Sequence, residues 1–259
     1  MKQLVLFFFI SCLTLSAQDK ISANYIAVDS LNADVFISKN NFENLYYVQN
    51  NVLFKKSDKH TINYSNIQLG NITSVHTFNP LKINVLYGDL NTVIILDNRL
   101  AEVSKLDFNT LQPYKNISHV TTGFDNTIWL FNQDFQYLEL YDYQTKTTRY
   151  KTIPVSSKVL DLTSNYNYCW LLTENNLYCY NYFGSLVYKF KNDSYTNIKA
   201  YNENLILEKE NILNFYNHET KTISAIDIPN MLISQFFVTN QILYIYTRKL
   251  LYQYQLKTD

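Results

Sequence analysis

The chain predicts an all-β fold, a ring of six repeated sheet modules latched by a strand near the N-terminus. Three observations carry that expectation. A short phrase (an apolar run, a polar turn, a second apolar run ending in Asp or Asn) recurs six times, its first runs centred on Tyr46, Val85, Trp129, Trp170, Ile206 and Tyr244. The period is roughly forty residues and every segment is strand-like, which is the spacing of four-stranded β-propeller blades. The sixth repeat supplies only three such runs, at 233–238, 241–246 and 250–256, while an orphan run at 23–28 stands ahead of the first repeat. Pairing the orphan with the last repeat completes a six-bladed β-propeller and removes its open seam.

Residues 1–18 come first in the chain and are read apart from the ring. Lys2 precedes an apolar stretch from 4 to 15, and Ser16-Ala17-Gln18 follows before Asp19. The stretch is too short to span a bilayer and ends in small residues, the pattern of a secretory signal peptide cleaved after Ala17 or Gln18. Cys12 offers an alternative, lipoprotein processing, although Phe9-Ile10-Ser11-Cys12 matches that signal loosely. The protein is thus expected to be exported, to the periplasm or the cell surface.

The blades are expected at about 33–69, 70–113, 114–154, 155–193, 194–229 and 230–259 plus 23–28, forming one domain over 19–259. In the third, the strands fall at 118–122, 127–132, 137–141 and 147–153. The second gives 72–77, 83–87, 92–96 and 102–108, and the fifth 198–201, 204–208, 212–216 and 221–228. Runs such as Ile128-Trp-Leu-Phe131 and Cys169-Trp-Leu-Leu172 are apolar on both sides, as strands buried between neighbouring sheets must be. Pro113, Pro154, Pro229 and Gly70 fall between repeats, where strands end. With four Gly against abundant Asn, the turns are expected to rest on Asn, which tolerates positive φ.

The segment Gly123-Phe-Asp-Asn-Thr-Ile-Trp-Leu-Phe131, continued by Leu138-Glu-Leu-Tyr-Asp-Tyr-Gln-Thr-Lys146, resembles secreted bacterial propeller repeats of the NHL, YncE-like and PQQ-like kinds. The resemblance extends over the mature chain as a period and implies the fold, with little about ligands.

The 22 basic residues balance 22 acidic ones and form no stripe, so nucleic acid is not an expected partner. After the first stretch no segment reaches the length of a transmembrane span, and a monomer is expected. Cys169 and Cys179 sit on consecutive strands of the fourth repeat. A hairpin loop at 173–175 would set them face to face for a disulfide, whereas a one-residue change of register would leave two buried thiols on opposite faces.

The four histidines, His60, His76, His119 and His218, belong to no metal-binding motif. The inner strands read Ile-Thr-Ser-Val-His-Thr77, Ser-His-Val-Thr-Thr122, Val-Leu-Asp-Leu-Thr163 and Ile-Lys-Ala-Tyr201, with Asp161 and Lys199 their only charges. No paired acids, nucleophile elbow or cofactor motif accompanies them, so no catalytic, metal or cofactor residue is assigned. The expected function is a rigid, non-enzymatic scaffold that binds a protein or glycan partner of the envelope. The alternatives are a lactonase-like hydrolase or lyase, and a carbohydrate-binding propeller. The candidate binding anchors are the loop aromatics Phe124, Phe135, Tyr166 and Phe183.

Overall fold

A computed structural model describes residues 20–258; the expected signal peptide and Cys12 lie outside the described residues. The architecture is all-β. An N-terminal strand, β1 (Ile21–Ser30), precedes β2 (Val35–Lys39), β3 (Leu45–Gln49), β4 (Val52–Lys56) and β5 (Thr61–Tyr64). A second group is β6 (Ser74–His76), β7 (Ile83–Tyr87), β8 (Thr92–Leu96) and β9 (Glu102–Asp107). The third is β10 (Ile117–Thr122), β11 (Thr127–Asn132), β12 (Tyr137–Asp142) and β13 (Thr147–Lys151). The fourth is β14 (Val159–Ser164), β15 (Tyr168–Thr173), β16 (Asn176–Asn181) and β17 (Leu186–Lys191). There follow β18 (Asn197–Tyr201), β19 (Asn204–Lys209), β20 (Ile212–Tyr216) and β21 (Ile223–Asp227), then β22 (Gln235–Thr239), β23 (Ile242–Thr247) and β24 (Leu250–Lys257).

Each of the first four groups is an antiparallel four-stranded sheet, and the remaining strands form one eight-stranded sheet, β18-β19-β20-β21-β1-β24-β23-β22. Hydrogen bonding therefore yields five sheets where six were expected. The join is narrow: β1 meets β21 in parallel only at Ile21–Ile226 and Ser22–Asp227. With β24, by contrast, β1 pairs antiparallel along its length, from Ser22–Lys257 to Ser30–Leu250, past a bulge at Ile26. Gln253 adds a side-chain bond to Asp29 (2.7 Å). Tyr246 secures the exit from β1, its hydroxyl donating to the Ala33 carbonyl (2.6 Å) and accepting the Ala33 amide (3.3 Å).

Hydrophobic clusters alternate with the sheets. Tyr46, Leu53, Ile83 and Ile94 join the first group to the second, and Leu86, Ile95, Val120 and Leu130 join the second to the third. Trp129, Phe131, Leu171 and Cys169 fill the next gap, and Trp170, Cys179, Leu205 and Leu207 the one after it. Ile206, Phe215, Leu243 and Leu256 follow, and Phe36, Tyr244 and Tyr246 bring the ring back to its start. Alternate residues of one strand thus serve opposite gaps, which is why β7, β8 and β11 are buried at every position and mostly apolar. Each of these large side chains, at roughly 25 cal/mol per Å² buried, supplies the adhesion between sheets.

The register decides the cysteines. The turn closing β15 to β16 is two residues, so Trp170 lies opposite Cys179 and Cys169 opposite Tyr180. The thiols occupy different gaps and are free, which overturns the cross-strand disulfide by the one-residue change of register. Burial pushes the Cys169 thiol well up and that of Cys179 up to about 12.

The tight turns are only partly built on asparagine. Asn50-Asn51 has φ of 50° and 61°, but Glu210-Asn211, Asn240-Gln241 and Arg248-Lys249 adopt the same two left-handed positions. A two-residue hairpin that follows sheet twist needs positive φ at both centres, and short hairpins impose it on Glu, Lys and Arg as well. Among the described residues no helix is long and apolar enough to cross a membrane.

Candidate functional site: the channel mouth

The first strand of each group, β2, β6, β10, β14, β18 and β22, faces a central channel, and β22 lies against β2. Several of their polar side chains bond across the ring. Ser38 and Thr77 hydroxyls meet at 2.5 Å, Asn84 donates to Thr122 Oγ1 (3.0 Å), and Thr121 meets Ser164 at 2.9 Å. Asp161 accepts the Ile198 amide (2.8 Å) and Gln235 the Phe36 amide (3.5 Å). Short residues with hydroxyl or amide groups find partners across neighbouring inner strands, although Asn84 Oδ1 and Ser74 Oγ are buried without one.

At one end, the loops that leave these inner strands enclose a cavity of about 450 Å³. Below the rim it is lined by hydroxyls (Ser38, Thr77, Thr121, Thr163, Ser164) and by the amides of Asn40, Asn41, Asn202 and Asn240. The rim carries Phe42, 76% exposed, Phe78, and Tyr166, 59% exposed. Phe78 and Tyr166 pack edge to face at 4.7 Å although their loops are not neighbours around the ring. The rim is braced: Asn165 donates to the Asn202 carbonyl, Asn167 to Glu203 (3.0 Å), and Thr239 to Asn41 (2.5 Å).

The cavity narrows at Ile37, Val75, His76 and Lys199, which also line a second cavity of about 320 Å³ opening at the far end. Asp161, Asn197, Glu208 and Gln235 line only that second cavity. Lys199 Nζ lies 3.4 Å from Asp161 Oδ2. Burial, with the Lys199 charge adding to it, takes His76 down to about 4, so its imidazole is neutral near neutral pH. Glu208 accepts bonds from Thr196 (2.5 Å), Asn197 (2.9 Å) and the Asn211 amide (3.0 Å). Burial alone would raise its carboxyl, but these donors hold it below the ordinary range.

The four sequence-derived aromatics do not form one site. Tyr166 reaches the mouth. Phe183, 60% exposed, stands at the same end, against Tyr182 (4.1 Å), which packs on Phe124 (5.4 Å). Phe124 is half-buried beneath the Arg149 guanidinium (5.8 Å) and joins the core, so it is not an exposed loop anchor. Phe135, 57% exposed, lies at the opposite end, stacked on Tyr137. Phe42, Phe78 and the four asparagines escaped the sequence reading; their signal was position, directly after each inner strand.

His119 lies away from the mouth, in a recess with Gln133, Gln136 and Lys158, its Nδ1 2.9 Å from Ser118 Oγ. Among the described residues no three His, Cys, Asp or Glu side chains are grouped to hold a metal.

No known sequence family matches the chain, and no curated protein is similar to it in sequence. Its similarity to solved structures is one of shape. Virginiamycin B lyase from Staphylococcus aureus, solved with quinupristin, superposes with a TM-score of 0.62 at 12% identity over 87% of this chain and 82% of that one. A chain of the mitotic checkpoint complex gives 0.64 at 10% identity over 98% and 99%. BamB from Moraxella catarrhalis gives 0.51 at 15% identity over 83% and 68%. An enzyme and an assembly component share this shape, so the likeness establishes a β-propeller and leaves activity to the site.

Proposed function

We propose that the protein is an exported, non-enzymatic six-bladed β-propeller that binds a protein or envelope polymer at the mouth framed by Phe42, Phe78 and Tyr166. Six clusters between successive four-strand groups support six blades, with β18–β21 the fifth and β22–β24 plus β1 the sixth. In that reading, the two register pairs between β1 and β21 are an edge contact between blades. The segment at 1–18 supports export, and residues 19–259 are the propeller.

The observation that carries the binding role is the rim itself: large aromatic faces held in solvent by braced loops, above hydroxyls and amides. Exposed aromatic clusters with a polar surround favour recognition. The carboxylates of the channel interior serve the scaffold. Asp161 accepts from Leu162, Ile198 and Lys199, and Glu208 from three donors, so both are tied into the ring.

Capture from an envelope extract tests this, with the wild type set beside a Phe42→Ala/Tyr166→Ala variant of unchanged thermal stability. Specific capture by the wild type and its loss in the variant is expected. Equal capture by both, or turnover of a substrate by the pure protein, would overturn the proposal. Carbohydrate binding is the second reading, favoured by aromatic rings set over groups that both donate and accept.

A further inference from the structure

We infer that the mouth cavity takes a carboxylate-bearing sugar of an acidic polysaccharide, its ring against Phe42 and Tyr166 and its carboxylate on Lys199; this rests on the mouth being the binding face. The distribution of charge carries the inference. Among the described residues lining this cavity there is no Asp or Glu, and Lys199 is the cation at its narrow end. The counter-charge, Asp161, lies behind it, in the lining of the opposite cavity alone. An ammonium has three donors. The hydrogen bond of Lys199 to Asp161, at 3.4 Å, occupies one of them weakly. The Phe236 ring, 5.9 Å from Nζ, lies on that far side too, so an anion descending from the rim meets the ammonium at the floor of the mouth with its partners below it.

The walls select the rest of the ligand. Ser, Thr and Asn side chains donate and accept alike, as sugar hydroxyls do. Rings at the rim offer flat apolar faces for the C–H side of a pyranose, which burial rewards. About 450 Å³ is within the range of small-ligand sites. An acidic peptide would match Lys199 equally, but peptides are gripped along an open strand edge or a helical groove. The mouth is instead a pit walled by inner strands bonded to one another and narrowing at Lys199.

The test is titration calorimetry of the full protein with trimers of galacturonate, mannuronate and N-acetylneuraminate, each beside its methyl ester. At least one acid should bind, more weakly as salt rises, with its ester about tenfold to a hundredfold poorer, the worth of a charged hydrogen bond. Lys199→Met should lower the acid to the level of its ester and leave the ester unchanged, and Lys199→Arg should restore the difference. Thermal melts check that each variant folds. Equal binding of acid and ester, or an acid unaffected by Lys199→Met, would refute the carboxylate assignment. The mouth would then still stand if Phe42→Ala/Tyr166→Ala abolished binding of both. Failure of every acid to bind at about 1 mM, the weak end of measurable affinity, would overturn the saccharide inference. In that case the envelope-extract capture decides separately whether the mouth binds anything.

Discussion

Lys115→Met should be among the most damaging single changes away from the channel. Lys115 enters the third sheet group from its preceding loop and places Nζ 2.5 Å from Glu139 Oε2, with side chains 7% and 0% exposed. Glu139 also accepts Thr148 Oγ1 at 2.5 Å and Asn132 at 3.3 Å. Removing the ammonium leaves a buried carboxylate with two neutral donors, a loss worth about 3–5 kcal/mol. For a chain of this size that is a fall in melting temperature of roughly 6–20 °C. The deficit should depend on pH in a stated direction. In the wild type, burial raises the Glu139 carboxyl, but the bonds from Lys115 and Thr148 more than reverse this, and its net pKa is lowered. Its contribution is therefore present above the unfolded carboxylate range and lost as pH falls through the folded value. In the variant burial prevails, the carboxyl rises, and protonation relieves the unpaired charge. The stability gap between wild type and variant, measured by urea denaturation, should accordingly narrow from about pH 7 to about pH 4, around the ordinary carboxylate value. Lys115→Met/Glu139→Leu should recover most of the loss at neutral pH, because an apolar pair carries no desolvated charge. A gap below about 1 kcal/mol, within the range of an exposed pair, or one that is the same at both pH values, would refute the reasoning.

Lys82 donates to the carbonyls of Gly123, Asp125 and Thr127 at 2.7–2.8 Å, clipping the second inner loop to the third. Lys82→Met leaves those acceptors short of a donor and should cost about 1–3 kcal/mol in urea denaturation. Cys169 and Cys179 should resist thiol reagents in the native protein, both react in denaturant, and show no mass change on reduction; a bridged species in the mass spectrum would contradict the register. His76 has a folded pKa below its unfolded one, so the unfolded chain binds the proton first, and stability falls as pH drops from about 6.5 toward 4. His76→Asn should remove that portion of the acid sensitivity, on the order of 1–3 kcal/mol, read as a flatter plot of melting temperature against pH.

The strands were legible where burial is two-sided. β7, β8 and β11, buried at every position, lie at the expected residues 83–87, 92–96 and 127–132, because a strand covered on both faces between close turns leaves little freedom. The orphan run at 23–28 likewise proved to be the interior of β1, paired where it was expected. Relations between strands were less legible. A turn shorter by one residue set Cys179 opposite Trp170, and no property of either cysteine foretells that. Lys115, Lys82 and Glu139 drew no expectation, since a lone Lys or Glu in a sequence does not announce its buried partner. The mouth was hardest: Phe42 and Phe78 share with Tyr166 only a place after an inner strand, and the closed ring is what brings the three to one cavity. Asp161 and Lys199 stood out as the charges of the inner strands, and the structure sets them against each other.

The partnership of β1 with β24 has a consequence for how the molecule comes into being. Asp29 and Gln253, which meet across it, are 224 positions apart, so the earliest strand stays single until nearly the whole polypeptide has been made. Throughout that interval Tyr25, Ile26 and Val28, still solvent-exposed in the finished protein, sit on an unmated edge that any other extended chain can join. Closure over so long a separation is slow. Whatever accompanies the nascent chain has this one stretch to guard, and two half-made copies have an obvious way to trade it.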